Sequence, residues 1–131
     1  MATAKNIGIW MDHANAHLME FTTDPIETTI IRSKFTHQEK EHSLNKSEAL
    51  MHHKEQHQQA EYYKEIGEVI KKYEEVLLFG PTDAKVELFN LLRKDHHFEK
   101  IKIETKQTDK MTENQEHAFV KEYFSKRLFL I

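Results

Sequence analysis

Two short apolar runs, Ile7-Gly8-Ile9-Trp10-Met11 and Val76-Leu77-Leu78-Phe79, constrain this chain more than any other feature. Both are shorter than a buried helix needs to be, and both are apolar at successive rather than alternate positions. Side chains along a strand point to opposite faces in turn, so such a run requires cover on both faces of a sheet. The chain therefore has to set both runs near the middle of a sheet with helices on either side. Its 131 residues suffice for one such domain and little more.

The flanking segments fill in that layout. Asp12-His13-Ala14-Asn15 supplies turn chemistry after the first strand, and a second strand runs from Ala16 to Phe21. Thr23-Asp24-Pro25 turns again, and the β-branched stretch Ile26–Arg32 makes a third strand, completing an antiparallel meander. The segment from His37 to Gln59 has no Gly or Pro, holds five of the ten histidines, and offers only Leu44, Leu50 and Met51 for burial. It reads as a mobile or loosely helical excursion at about 37–58. Tyr62, Ile66, Val69, Ile70 and Tyr73 then mark one face of a helix. Gly80-Pro81 ends the second apolar run. Thr82 can cap a helix reaching about Lys94, with Leu88, Leu91 and Leu92 inward. Lys100 to Thr105 alternates as a half-exposed strand whose lysines guard a sheet edge. Thr112-Glu-Asn-Gln115 fits a capping box opening a last helix that carries Ala118, Phe119, Tyr123 and Phe124. The apolar end Leu128–Ile131 suits packing against the domain or against a second copy. The element order βββαβαβα with right-handed crossovers predicts a five-stranded mixed sheet of order 3-2-1-4-5, the layout of the ribonuclease H-like class.

Composition narrows the function. Cysteine is absent, which removes disulfides, thiol nucleophiles, iron–sulfur clusters and cysteine zinc sites. No apolar run reaches the ~20 residues of a membrane helix, and the first is too short for a signal peptide, so a single cytoplasmic domain over 1–131 is expected. Nineteen basic residues against twenty-two acidic ones give a net charge of −3, which disfavours indiscriminate binding to nucleic acid.

Three groupings carry candidate chemistry. Gly80, Thr82 and Lys85 lie between a buried strand and a helix start, where free amides and a cationic arm suit an anion or an RNA phosphate; a simply capped turn is the alternative. The loop lacks the second glycine and the Lys-Ser/Thr pair of a Walker A motif. Asp12, Glu61 and Asp83 fall on the elements from which ribonuclease H-like nucleases draw magnesium ligands, although Asp is also an ordinary turn residue. His53, His57 and Glu61 share one helix face as weak metal candidates, without the zincin spacing; a solvated polar face is the plainer reading. A further cluster of Lys85, Arg93, Lys94, Lys100, Lys102, Lys106 and Lys110 is interleaved with acids and lacks the aromatic platform of common RNA-binding modules.

The strings Ile9-Trp10-Met11-Asp12-His13-Ala14-Asn15-Ala16, Val76–Lys85 and Asp109–Gln115, with His52-His53-Lys54 and Glu61-Tyr62-Tyr63, resemble the small bacterial "translational machinery protein" family over most of the chain. That family resembles in turn the middle domain of archaeal and eukaryotic release factors and of the ribosome-rescue protein Pelota. In the release factors, the excursion before the first helix carries a Gly-Gly-Gln tripeptide. Here His37 to Gln59 contains no glycine, so peptide release is not implied. The resemblance implies a non-catalytic, translation-related protein associating with the ribosome or structured RNA; the turn and the basic cluster offer Gly80, Thr82, Lys85 and Lys110 for that contact, and no cofactor and no membrane are expected. A divalent-metal nuclease and a protein-binding module that self-associates through its sheet edge or C-terminal tail are the alternatives.

Overall fold

The computed structural model describes residues 5–21, 28–33 and 48–129, and of residues 48–58 and 126–129 it describes the backbone alone. The elements are β1 (Asn6–Met11), β2 (Asn15–Glu20), β3 (Thr28–Arg32), α1 (Glu48–Ile70), β4 (Glu75–Gly80), α2 (Ala84–Arg93), a 3-10 turn (His96–Phe98), β5 (Lys102–Gln107) and α3 (Glu113–Phe129). The sheet has the order β3-β2-β1-β4-β5, as the apolar runs predict. β1 pairs antiparallel with β2 and parallel with β4, β2 antiparallel with β3, and β4 parallel with β5.

Every residue of β1 is buried, and so are Val76 to Gly80 of β4, because helices cover both sides of this central pair. Ile7, Ile9, Met11, Val76 and Leu78 pack with Tyr62, Ile66 and Ile70 of α1 and with Leu88 and Leu92 of α2. On the opposite face Trp10, Leu77 and Phe79 pack with Val120 and Phe124 of α3. The two α-helices α1 and α2 thus share one layer and α3 forms the other.

Two glycines set close approaches in this frame. A Cβ on Gly8 would stand 2.3 Å from Val120 Cγ2, so the bare backbone lets α3 settle onto β1. Gly80 has φ +153°, and a Cβ there would stand 2.2 Å from the Met11 carbonyl oxygen. It closes the end of β4 against the end of β1 in a conformation that L side chains rarely adopt.

Several expectations are corrected. α1 begins at Glu48, well before residue 60 where helical order is expected to resume, so residues 48–58 of the excursion, read as mobile or loosely helical, have helical backbone; residues 37–47 lie outside the described residues. Leu91 points outward and is 49% exposed, because the inward arc of this three-turn helix is filled by Ala84, Lys85, Leu88 and Leu92. Ala118 is exposed, while Val120 and Glu116 are buried. β5 runs two residues later than its alternation suggested, and residues 26 and 27 of the predicted third strand lie outside the described residues. The capping box is present as read: Thr112 Oγ1 accepts from Gln115 N at 3.2 Å, and Gln115 Oε1 accepts from Thr112 N at 2.9 Å. Of the apolar end, Leu128 and Phe129 continue the α3 backbone, and residues 130 and 131 lie outside the described residues. Among the described residues, no helix is long and apolar enough to cross a membrane.

Candidate functional site

The parallel strands β1, β4 and β5 all end on one side of the sheet, the side where open α/β folds place ligands. Four of the residues singled out from sequence, Asp12, Gly80, Thr82 and Lys85, meet at that end.

Asp12 closes the β1–β2 turn. Its Oδ1 accepts from Ala14 N at 2.8 Å and Asn15 N at 2.7 Å, while its own amide donates to Asn15 O at 2.9 Å. The carboxylate is thus engaged with the turn it sits in. The Tyr62 hydroxyl donates to Asp12 O at 2.9 Å, tying α1 to the same turn. Burial, with Asp12 next in weight, pushes the Tyr62 phenol far above its usual range. Next to it the Tyr63 hydroxyl donates to Glu87 Oε1 at 2.6 Å, and His13 Nε2 lies 3.2 Å from Glu87 Oε2. Burial and then the Glu87 hydrogen bond raise Tyr63 strongly, so both phenols remain proton donors at physiological pH. Partial burial works against ionisation of Glu87, but the bonds from Tyr63 and His13 outweigh it and hold the carboxyl below its ordinary range.

The β4–α2 turn is closed in the same manner. Thr82 Oγ1 accepts from Ala84 N at 3.3 Å, which occupies one of the amides expected to be free. Asp83 takes the N-cap position without a side-chain cap bond, and its side chain is exposed. Lys85 corrects the sequence reading most sharply. It is only 2% exposed, and its Nζ donates to Thr82 O at 2.5 Å and to Gln107 Oε1 at 2.7 Å. Gln107 Nε2 donates in turn to Pro81 O at 3.0 Å. Burial lowers the Lys85 amine from its usual range, with Asp83 pulling the other way. The predicted cationic arm is therefore an internal brace joining α2, the turn and the end of β5. Gly80 is itself buried, Thr82 is half-buried and Lys110 is exposed.

The candidate magnesium ligands Asp12, Glu61 and Asp83 are not gathered within coordination distance of one another. Among the described residues, the one group of three candidate ligands whose donor atoms all lie within 4.8 Å is Asp95, His96 and His97. Asp12, Glu61 and Asp83 form no such group. The Asp95 cluster, which the sequence presented only as a connection, is built on the 3-10 turn: Asp95 Oδ1 accepts from His97 N at 3.0 Å and lies 2.7 Å from His97 Nδ1. His53 and His57 lie outside the described side chains, and Glu61 is half-buried.

Sequence reasoning also passed over the polar contacts beneath α3. His17 Nδ1 lies 2.8 Å from Glu116 Oε1, stacked on Trp10 at a 4.9 Å centroid distance, and His117 Nε2 lies 2.6 Å from Thr28 Oγ1. They pin the first turns of α3 to β2 and β3. A groove of about 470 Å³ between α1 and α2 is lined by Tyr63, Gly67, Leu88, Leu91, Leu92 and Phe98. Glu87 and Gln107 carried no motif; only the topology, which collects the ends of parallel strands, brings Glu87 to His13 and Gln107 to Lys85.

No protein-family model matches the chain, and no curated protein is similar to it in sequence. Solved structures do match. Pelota from Archaeoglobus fulgidus superposes with a TM-score of 0.59 at 9% identity, over 96% of this chain and 32% of that one. Pelota from Thermoplasma acidophilum gives a TM-score of 0.57 at 12% identity, over 93% of this chain and 32% of that one. The chain thus spans about a third of the length of each Pelota, and at these identities the likeness is one of fold. It agrees with the ribonuclease H-like sheet read from the strand order. The resemblance to the bacterial translational machinery family rests on its sequence motifs alone.

Proposed function

We propose that this domain is a non-catalytic, translation-related module that associates with the ribosome or with structured RNA in the cytoplasm. The observation that carries the reading is the Pelota-like fold, which extends over 96% of the chain. Two features agree with a binding role. At the end of the parallel strands Asp12 is bonded to its own turn, Glu87 to Tyr63 and His13, and Lys85 to Gln107. The Gly-Gly-Gln tripeptide of the release factors has no counterpart between His37 and Gln59.

The cationic contacts come from the exposed members of the basic cluster. Arg93, Lys94, Lys100, Lys102, Lys106 and Lys110 are exposed, whereas Lys85 is not. Lys110 follows β5 just beyond the braced Gly80–Thr82 turn, so the turn provides a rigid support and Lys110 the phosphate contact. Interleaved acids keep the binding weak and salt-sensitive. In this reading the polar excursion at about 37–58 is part of the same domain, and it contains no glycine and so no Gly-Gly-Gln tripeptide.

Co-sedimentation with purified ribosomes tests this directly. The protein should pellet with ribosomes at about 50 mM salt and largely dissociate by about 200 mM. Lys110→Glu should reduce the bound fraction and flatten the salt dependence by roughly one phosphate contact. Failure to pellet at low salt would contradict the reading.

A further inference from the structure

We infer that β5 pairs with β5 of a second copy, antiparallel about a two-fold axis at Thr105, joining the two five-stranded sheets into one. Among the described residues, no strand pairs with the outer edge of β5. Its inner side is used by alternate residues: Lys102 N donates to Glu74 O at 3.0 Å and Thr108 N to Gly80 O at 3.1 Å. Backbone polar groups alternate sides along a strand, so Ile103, Thr105 and Gln107 direct theirs outward.

Charge and the length of the strand together select the register. Lys102, Glu104 and Lys106 share the α3 face, where the Tyr123 hydroxyl donates to Glu104 and Lys106 Nζ lies 5.3 Å from the Tyr123 ring centre. Residues directly opposite each other in an antiparallel pair lie on the same face. An axis at Glu104 would set Glu104 against its own copy and Lys102 against Lys106. An axis at Ile103 would also set Glu104 opposite a lysine, Lys102, twice, but it would pair only residues 102–104 within the strand, put Lys100 against Lys106 and draw on residues 100 and 101, which precede the strand. An axis at Thr105 sets Glu104 opposite Lys106 twice and Lys102 opposite Thr108. In that register Ile103 faces Gln107 and Thr105 faces Thr105, and each facing pair exchanges both N–H···O bonds. The lysines that guard the edge against foreign strands are thus complemented only by a strand that also carries Glu104 between them. The other edge strand, β3, reads Thr-Thr-Ile-Ile-Arg and has no such alternation.

The chain contains no cysteine, which makes single-cysteine cross-linking unambiguous. With the axis at Thr105, the two Thr105 Cα atoms stand about 5.5 Å apart, within disulfide reach, whereas the two Lys102 positions are offset by about 20 Å. Thr105→Cys should therefore form a covalent dimer under mild oxidation, and Lys102→Cys should not. Sedimentation velocity of the parent should show a concentration-dependent dimer. Glu104→Lys should weaken it about tenfold or more, and Glu104→Lys combined with Lys106→Glu should restore it, because the swapped pairs again face opposite charges. A parent that stays monomeric throughout, equal cross-linking at both positions, or a Glu104→Lys protein that dimerises like the parent would each overturn the proposal. None of these readouts depends on ribosome binding.

Discussion

Gly80→Ala should unfold most of the population under conditions where the parent is fully folded. The added Cβ would sit 2.2 Å from the carbonyl oxygen of Met11 and 3.3 Å from its carbonyl carbon. Those atoms are backbone in a strand buried at every position, so they cannot swing aside as a side-chain tip would. The φ of +153° adds strain of its own. Strain and overpacking together should cost about 3–5 kcal/mol, a large part of the total stability of an ordinary domain. Urea denaturation followed by the fluorescence of Trp10 reads this out. The same replacement at Gly67 is the internal control. Its Cβ would make an ordinary 3.4 Å contact with Phe98, and the gain in helix propensity is up to about 1 kcal/mol. Equal midpoints for the two variants would mean that the β1–β4 end is not closed as described.

Lys85→Glu should be the second severe change. The sequence alone suggests the reverse, since an acidic residue in an exposed first turn suits the helix dipole. In the folded domain the Lys85 amine donates to Thr82 O and Gln107 Oε1 in a buried position, and a carboxylate there would face two acceptors. Leaving an uncompensated charge in such a place costs about 3–5 kcal/mol, less whatever is recovered by protonating it. Lys85→Met keeps most of the aliphatic stem and loses only the hydrogen bonds, so about 1–2 kcal/mol is expected. Urea midpoints should rank parent, then Met, then Glu. A Lys85→Glu protein as stable as the parent would mean that the amine reaches solvent, and the turn would again be a candidate anion site.

The contrast between these two positions shows what was legible in the sequence. The strand order followed from the two doubly apolar runs and the alternation before Thr105, because burial on two faces or on one leaves different hydrophobic periods. The capping box at Thr112–Gln115 was legible because its reciprocal bonds need those residue types at that spacing. The first half of α1 was not. Residues Glu48 to Gln59 carry almost no apolar stripe, yet they are mostly Glu, Gln, Lys, Ala, Leu and Met, whose intrinsic helix propensity is high. At the site, Asp12 and Gly80 were visible because turns demand such residues. Lys85 as a brace was not, because burial of a lysine depends on acceptors supplied by Thr82 and, from another strand, by Gln107. The burial of Glu116 depends likewise on His17, distant in sequence.

The central claim, that this Pelota-like domain binds ribosomes without performing chemistry on them, is tested most directly on stalled ribosome–nascent-chain complexes. One pelleting experiment reads both halves: protein recovered with the ribosomes, and the state of the peptidyl-tRNA and messenger in the same pellet. The account predicts the domain in the pellet at low salt, with peptidyl-tRNA and messenger intact in magnesium-containing buffer. Released peptide, a cleaved messenger, or a domain left wholly in the supernatant would contradict it.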